Sequence, residues 1–392
     1  MADYLLIVPI FLAIAVGWML GRRDRNRQPL TAQANLSRDY FNGLDYLLSE
    51  RTDEAIESFI KVLEINSDTI PAHLALAKLF RRKGDVDQAI KLHQNLLARP
   101  DLNRKDFLRI QMALARDYTA VGLLDRAENL LLEINRQNPP RETRANALRL
   151  LIKLYEKEGE WGDALDTGNI LSADERADIK HELAHYSCEI AEGFISRKKY
   201  KKAQQALKQA LQYDPASVRA SLLQGRVALL NEQWKTAIKY FRMVAEQDQA
   251  FVSETVEPLR ECYQSLGREA EFREYLEQMA LAAPSTTVML ALSELVRQER
   301  GVYAAGFFVT EELKKRPSIK GFNRLIDMHI EYGSTSAKES LVILRGLTGQ
   351  LEQTKPVYRC NSCGFNSRSL QWHCPSCRNW GTTKPIQGIE GE

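Results

Sequence analysis

The sequence is poor in several features that would point to a particular chemistry. It carries 54 Lys or Arg against 51 Asp or Glu, a formal net charge of +3 over 392 residues, so no overall basic excess marks a nucleic-acid binder. Aromatic residues make up only 8%. There is no phosphate-binding glycine loop and no nucleophile motif, which argues against nucleotide-driven or covalent catalysis. Runs that alternate apolar and polar residues are almost absent between Ser37 and about Gln353, so no sheet-built core is expected there. Cysteine is scarce: Cys188 and Cys262 stand alone, and the other four of the six lie in two Cys-x-x-Cys pairs. No disulfide framework spans the chain, as suits a reducing compartment. At 44% hydrophobic and 27% charged, the chain can still bury an ordinary core, which excludes disorder.

Long apolar runs are limited to one. From Tyr4 to Leu20 every residue is apolar, aromatic, Gly or Pro, and these 17 residues would rise about 25 Å as a helix, near the minimum for crossing a bilayer core. Asp3 precedes the run and Arg22, Arg23, Arg25 and Arg27 follow it, so the positive-inside rule places the rest of the chain in the cytoplasm. A cleaved secretory signal is the competing reading, with Ala32-Gln33-Ala34 as cleavage site. A signal needs its cations ahead of the apolar core, however, and Trp18 sits where an interfacial anchor would. The expectation is a retained anchor over residues 1–20 and an Arg-rich cytoplasmic linker over 21–36, broken by Pro29.

Beyond the linker, helix-length amphipathic segments come in pairs. Ala55, Ala89, Ala127, Ala164, Ala203 and Ala237 recur at steps of 34, 38, 37, 39 and 34 residues, each early in a second helix. Nine positions before them stand Tyr46, Phe80, Tyr118, Tyr155, Phe194 and Ala228, closing the first helices. Small against large lets two antiparallel helices approach while the aromatic fills the groove. Gly43, Ala77, Ala115, Ala191 and Gly225 repeat in phase in first helices, as do Phe59, Leu131, Leu207 and Phe241 in second ones. Pro139, Pro215 and Pro317 fall where second helices should end. A shortest step of 34 is the tetratricopeptide (TPR) period. The expected fold is all-α: a TPR solenoid of eight to nine helical hairpins over residues 37–353. It is degenerate after residue 253, where Phe272 replaces the expected alanine, and a last pair near 321–331 and 336–353 caps the stack. Such arrays bind peptides or proteins by default and carry no chemistry of their own.

The segment 354–392 is different. Cys360 and Cys363, then Cys374 and Cys377, form two Cys-x-x-Cys pairs separated by ten residues, each offering two thiolates to one ion. A segment this short cannot build a sufficient core, so metal binding would supply its folding energy. Four thiolates suit iron and zinc equally, and the spacing resembles rubredoxin knuckles more than any DNA-reading finger. His373 abuts Cys374 but is not assigned as a ligand. Between Lys355 and Pro385 there are five Lys or Arg, no acid, and four interleaved aromatics: Tyr358, Phe365, Trp372 and Trp380. That mixture permits an RNA-binding reading. The simpler one is that cations offset the net negative charge of a tetrathiolate centre, while the aromatics pack a tiny core or dock on preceding helices. A rubredoxin-like electron-transfer role is a further alternative.

His181-Glu182-Leu183-Ala184-His185 matches the zinc-protease signature. No third ligand follows, and between Phe194 and Asn231 the only acid is Asp214, so the match reads as coincidence at the start of a TPR helix. His73, His93 and His329 read as repeat packing or surface residues.

The order of anchor, Arg-rich linker, TPR array and terminal knuckle resembles the lipopolysaccharide assembly protein B family of Gram-negative bacteria across essentially the whole chain. The ending is the most specific part: Tyr358-Arg359-Cys360 through Cys363-Gly364-Phe365, Trp372-His373-Cys374-Pro375-Ser376-Cys377, Trp380 and Lys384-Pro385-Ile386 look like that family's rubredoxin-type tail. The resemblance implies that Cys360, Cys363, Cys374 and Cys377 bind one metal ion, iron or zinc. It implies a non-enzymatic, single-pass protein of the cell inner membrane with its bulk on the cytoplasmic side. Its implied role is to promote degradation of the lipid A deacetylase by a membrane-anchored ATP-dependent metalloprotease, and so to limit lipopolysaccharide supply. An inner-membrane regulator and lipopolysaccharide assembly proteins are the further partners implied.

Overall fold

In a computed structural model the described residues are Trp18, Met19, 38–65, 69–332, 335–389 and Gly391. The expected anchor and linker therefore lie, apart from Trp18 and Met19, outside the described residues. Among those that are described, no helix is long and apolar enough to cross a membrane.

The fold is the expected one, helical throughout until a small terminal sheet. Contacts divide the chain into two compact units, Met1–Glu158 and Gly159–Glu392. The first contains α1 (38–48), α2 (Thr52–Ile65), α3 (Ile70–Lys83), α4 (Val86–Leu97), α5 (Arg104–Val121), α6 (Leu124–Arg136) and α7 (Arg141–Glu158). The second contains α8 (Trp161–Ile170), α9 (Ala173–Ala177), α10 (Lys180–Ser196), α11 (Tyr200–Tyr213), α12 (Val218–Leu230), α13 (Trp234–Gln247) and a 3-10 turn at Gln249–Phe251. There follow α14 (Ser253–Ser265), α15 (Glu269–Ala282), α16 (Thr286–Lys315), α17 (Ile319–Tyr332) and α18 (Thr335–Thr354).

All six phase-marking alanines are 0% exposed, which is why the position tolerates nothing larger where two helix backbones approach. The glycines of first helices do the same for aromatic partners: a Cβ on Gly43 would lie 3.0 Å from the Phe59 ring, and one on Gly225 only 2.5 Å from that of Phe241. The ends follow local chemistry. Gly84 and Gly122 close α3 and α5 in the left-handed conformation, and Asn103 caps α5 by accepting from the Asp106 N–H.

Two departures from the 34-residue step have visible causes. The 39-residue step between Ala164 and Ala203 contains the additional short helix α9, opened by a Ser172/Glu175 capping box. In the degenerate region, α16 runs for 30 residues but breaks at Gly301, whose φ of 82° and ψ of 173° divide it into two helical arms. Phe272 is buried where earlier repeats carry alanine and packs on Tyr263, which holds the usual aromatic place nine positions earlier, so here both helices of the pair contribute an aromatic.

In the first unit, the carboxylate of Asp117, fully buried on α5, takes Arg81 from α3 and His93 from α4. His93 is thus repeat packing, as expected, and one buried charge fastens three successive helices.

The glycine geometry yields a paired test by denaturant midpoint with circular dichroism on the full chain. Gly225→Ala should destabilise by about 1–3 kcal/mol, because the Phe241 ring must move. Gly193→Ala in α10, where a methyl group meets nothing within 4 Å, should stabilise by up to about 1 kcal/mol.

Candidate metal centre and its docking surface

The terminal sheet is three short antiparallel strands in the order β2-β1-β3: β1 (Tyr358–Cys360), β2 (Asn366–Ser367) and β3 (Thr383–Pro385). Tyr358 pairs with Ser367 on one side and Pro385 on the other. Each Cys-x-x-Cys pair lies in a tight turn. The Gly364 N–H donates to the Cys360 carbonyl at 2.9 Å, and the Arg378 N–H repeats this bond to Cys374. Both turns end on a positive φ, 78° at Gly364 and 57° at Arg378, so the two loops are built alike although only the first has glycine. Asn379 ties them by donating to Ser362 Oγ.

The four sulfurs converge. Cys360 Sγ lies 3.7 Å from Cys377 Sγ, Cys363 Sγ lies 3.7 Å from Cys374 Sγ, and all four fall within 4.8 Å of one another. A tetrahedron with metal–sulfur bonds of about 2.3 Å has edges of about 3.8 Å, so the set fits one tetrathiolate ion. Burial pushes the Cys360 thiol up, but hydrogen bonds from Thr382 Oγ1 and from the backbone N–H groups of Cys363 and Ser362 outweigh it and hold it at about 6. Burial pushes Cys374 up to about 11. Four thiolates this close cannot all ionise without a cation among them, which the donor set is arranged to accept. Cys188 and Cys262 are raised to about 12 and about 11 by burial and stay neutral. Among the described residues, the four terminal cysteines are the only cluster of three or more His, Cys, Asp or Glu able to share an ion.

The knuckle docks on the array, the second of the two aromatic roles expected from sequence. Trp372 stacks on Phe251 at 5.4 Å between ring centres. Trp380 stacks on His373 of its own knuckle at 4.4 Å and on His185 of α10 at 5.0 Å, and its edges meet Trp161 and Tyr186. The Arg219 guanidinium, 3% exposed and paired with Glu189 and Glu192, lies over the same indole. Outside the stack, the Tyr358 hydroxyl donates to Glu254 and Lys384 pairs with Asp248. The array thus supplies the acids that residues 355–385 lack.

This arrangement gives the protease-like motif a different use. His181 Nδ1 meets Asp214 at 2.9 Å and His185 Nε2 meets His181 Nε2 at 3.3 Å. Asp214 thus orients the His181 ring, and His181 in turn holds His185. The backbone of Gly381, at a φ of 63°, sits directly against both imidazoles, and an added Cβ would lie 2.5 Å from His181 Nε2. The histidine pair is a seat for the knuckle. Sequence reasoning missed this, although its signals were present: a histidine pair at helical spacing, the single acid Asp214, and a tail rich in aromatics.

Burial first, then the neighbouring His181, Arg219 and His373, depress the His185 imidazole to about 2. A histidine kept neutral when folded and titrating near 6.5 when unfolded stabilises the fold above that value, and the stability falls as pH drops. Between pH 6.5 and 5.5 the loss from this residue should be about 1 kcal/mol. Comparing denaturant midpoints at the two pH values, His185→Phe should remove that slope; an unchanged slope would show that other groups set it. A second test concerns the ion. Chelation should speed tryptic cleavage at Arg359, Arg368 and Arg378 while the array's helical signal stays. Equal cleavage rates with and without chelator would mean that docking does not depend on metal.

Comparison with known proteins follows the same division. A rubredoxin metal binding domain model matches residues 358–385, and tetratricopeptide repeat models match 72–106 and 194–254. The chain is 36% identical over 387 residues to lipopolysaccharide assembly protein B of Escherichia coli (strain K12), covering 98% of each. It is 35% identical over 395 residues to the protein of that name from Haemophilus influenzae (strain ATCC 51907 / DSM 11121 / KW20 / Rd), again covering 98% of each. Among solved structures, the C-terminal part of a TPR repeat-containing protein from Cytophaga hutchinsonii superposes with a TM-score of 0.46 at 14% identity, over 64% of this chain and 99% of that one. From identity of this level along nearly the whole length, the chain belongs to the lipopolysaccharide assembly protein B family.

Proposed function

We propose that this protein is a non-enzymatic adaptor of lipopolysaccharide assembly. In this reading residues 1–20 anchor it in the cell inner membrane, 21–36 link, 37–353 recruit partners on the cytoplasmic side, and 354–392 bind one iron or zinc ion through Cys360, Cys363, Cys374 and Cys377. The observation that carries the reading is kinship over 98% of the chain with proteins named for lipopolysaccharide assembly. The array and knuckle would present the lipid A deacetylase to the membrane-anchored ATP-dependent metalloprotease, limiting lipopolysaccharide supply, with the anchor contacting the protease or its inner-membrane regulator. Confinement of adaptor and protease to one membrane raises their effective concentration, so weak TPR contacts suffice.

The ion's contribution in this reading is structural: it crosslinks two loops and thereby fixes the indoles that dock on the array. Depleting the protein in its host and following the deacetylase after translation is stopped tests the reading. The deacetylase half-life should lengthen and lipopolysaccharide should rise. Deleting Tyr4–Leu20 should reproduce both effects even with the remaining chain folded. An unchanged half-life on depletion would end the proteolytic part of the proposal.

A further inference from the structure

In the first compact unit, α3, α5 and α7 are the first helices of successive pairs, and α5 touches both of the others. First helices line the side of a TPR solenoid that meets ligands. The repeat register shows which of their positions face that side. Nine positions before the residue that closes a first helix stand His185, Arg219 and Glu254, and all three touch the docked knuckle. Two positions before it, Glu192 reaches from α10 to Arg219 of α12. In the first unit the earlier of these positions carries Arg109, and the later one carries Lys78, Arg116 and Lys153. Arg82, one turn beyond Lys78, joins them.

These five cations are exposed, and among the described residues none of them takes part in an ion pair or a side-chain hydrogen bond. Arg81 and Lys83, beside them on α3, are paired with Asp117 and Asp53. The acids that would serve the rest are missing or taken: α3 has none, Asp117 is buried and also holds His93, and Glu156 and Glu158 of α7 are engaged within the chain. The patch is continuous. Partial burial first and the charge of Arg81 second lower the Arg116 guanidinium from its ordinary value. Lys157, one turn beyond Lys153, donates to the Thr119 carbonyl of α5 at 3.2 Å. In the second unit the equivalent face takes a polypeptide segment, whose Tyr358 and Lys384 meet Glu254 and Asp248. We propose that the face of α3, α5 and α7 takes a polypeptide of the opposite charge, an acidic segment of a partner protein lying extended across Lys78, Arg116 and Lys153. Neighbouring helix axes stand about 8–10 Å apart and an extended chain rises about 3.3 Å per residue, so an acid at about every third residue matches the row. The inference rests on the recruiting role given to residues 37–353 and names the chemistry of one partner.

The probe is a fluorescein-labelled peptide of about ten residues with glutamate at every third position, titrated with the detergent-solubilised full chain and read by anisotropy. Lys78→Glu, Arg116→Glu and Lys153→Glu together should weaken binding by roughly tenfold or more. The matched set Lys61→Glu, Lys91→Glu and Arg126→Glu, exposed cations of the second helices α2, α4 and α6, should change it by less than about twofold. Binding to the native chain should fall steeply with added salt. With no variant at all, the peptide should protect Lys78 and Lys153 from acetylation and leave Lys61 and Lys91 reactive. Equal losses in the two variants, or protection that does not separate the two pairs of lysines, would overturn the proposal. Protection of Lys78 and Lys153 on reconstitution into phosphatidylglycerol vesicles, but not by the peptide, would overturn it in favour of a membrane surface. Peptide binding and deacetylase half-life are separate readouts: failure of the first alone removes this inference, and failure of the second alone removes the proteolytic role.

Discussion

Trp380 lies between two imidazoles, one from its own metal loop and one from α10, with the Arg219 guanidinium over the same ring. The terminal segment depends on this contact, because three strands of two or three residues bury almost nothing among themselves. The contact in turn depends on the cysteine turns, since His373 precedes Cys374 and Trp380 follows Cys377 by three residues. Metal, turn geometry and docking are therefore one cooperative unit. The platform is also demanding electrostatically. Arg219 is 3% exposed; burial is the largest single influence on it and disfavours its charge, but Glu192 and Glu189 beside it more than offset this and hold the guanidinium above its ordinary value. A buried cation with two acids on one side uses the indole face on the other, where a neutral ring carries partial negative charge.

The array and the knuckle solve opposite problems. The array has ample apolar surface and needs only spacing, which it obtains from alanines and glycines that let helices close on aromatic partners. The knuckle has too little core and borrows one: Leu370 and Trp372 join Val218, Val244 and Phe251 in a single cluster. A borrowed core accounts for the density of aromatics in the last thirty-five residues of a chain otherwise poor in them.

The repeat phase was legible because it rests on residue size, which a sequence states outright. Ala55 through Ala237 mark buried helix crossings, and the proline positions mark helix ends. The convergence of the four sulfurs was legible for the same reason, since two Cys-x-x-Cys loops leave few geometries. The Gly301 break was not, because it lies within a continuous helical pattern and a lone glycine there reads as a tolerated weakness. Nor was the role of His181 and His185: helical spacing puts both on one face of α10, but only tertiary structure brings Gly381 and Trp380 there. Local pattern reports what a residue offers, whereas docking over two hundred residues of chain depends on what arrives.

The same docking bears on the end of the stack. The segment after Lys355 could have folded over α18 and covered its apolar face, as a capping helix would. It turns instead toward α10, the 3-10 turn and α14, held there by Trp380, Trp372, Tyr358 and Lys384. The aromatic and charged contacts of the knuckle thus draw it from α18, while the Ile389 carbonyl beyond it accepts from the Ile319 N–H at the start of α17. An exposed stripe of Ile343, Leu347 and Leu351 carries a solubility cost that a single Lys or Glu at any of the three would relieve.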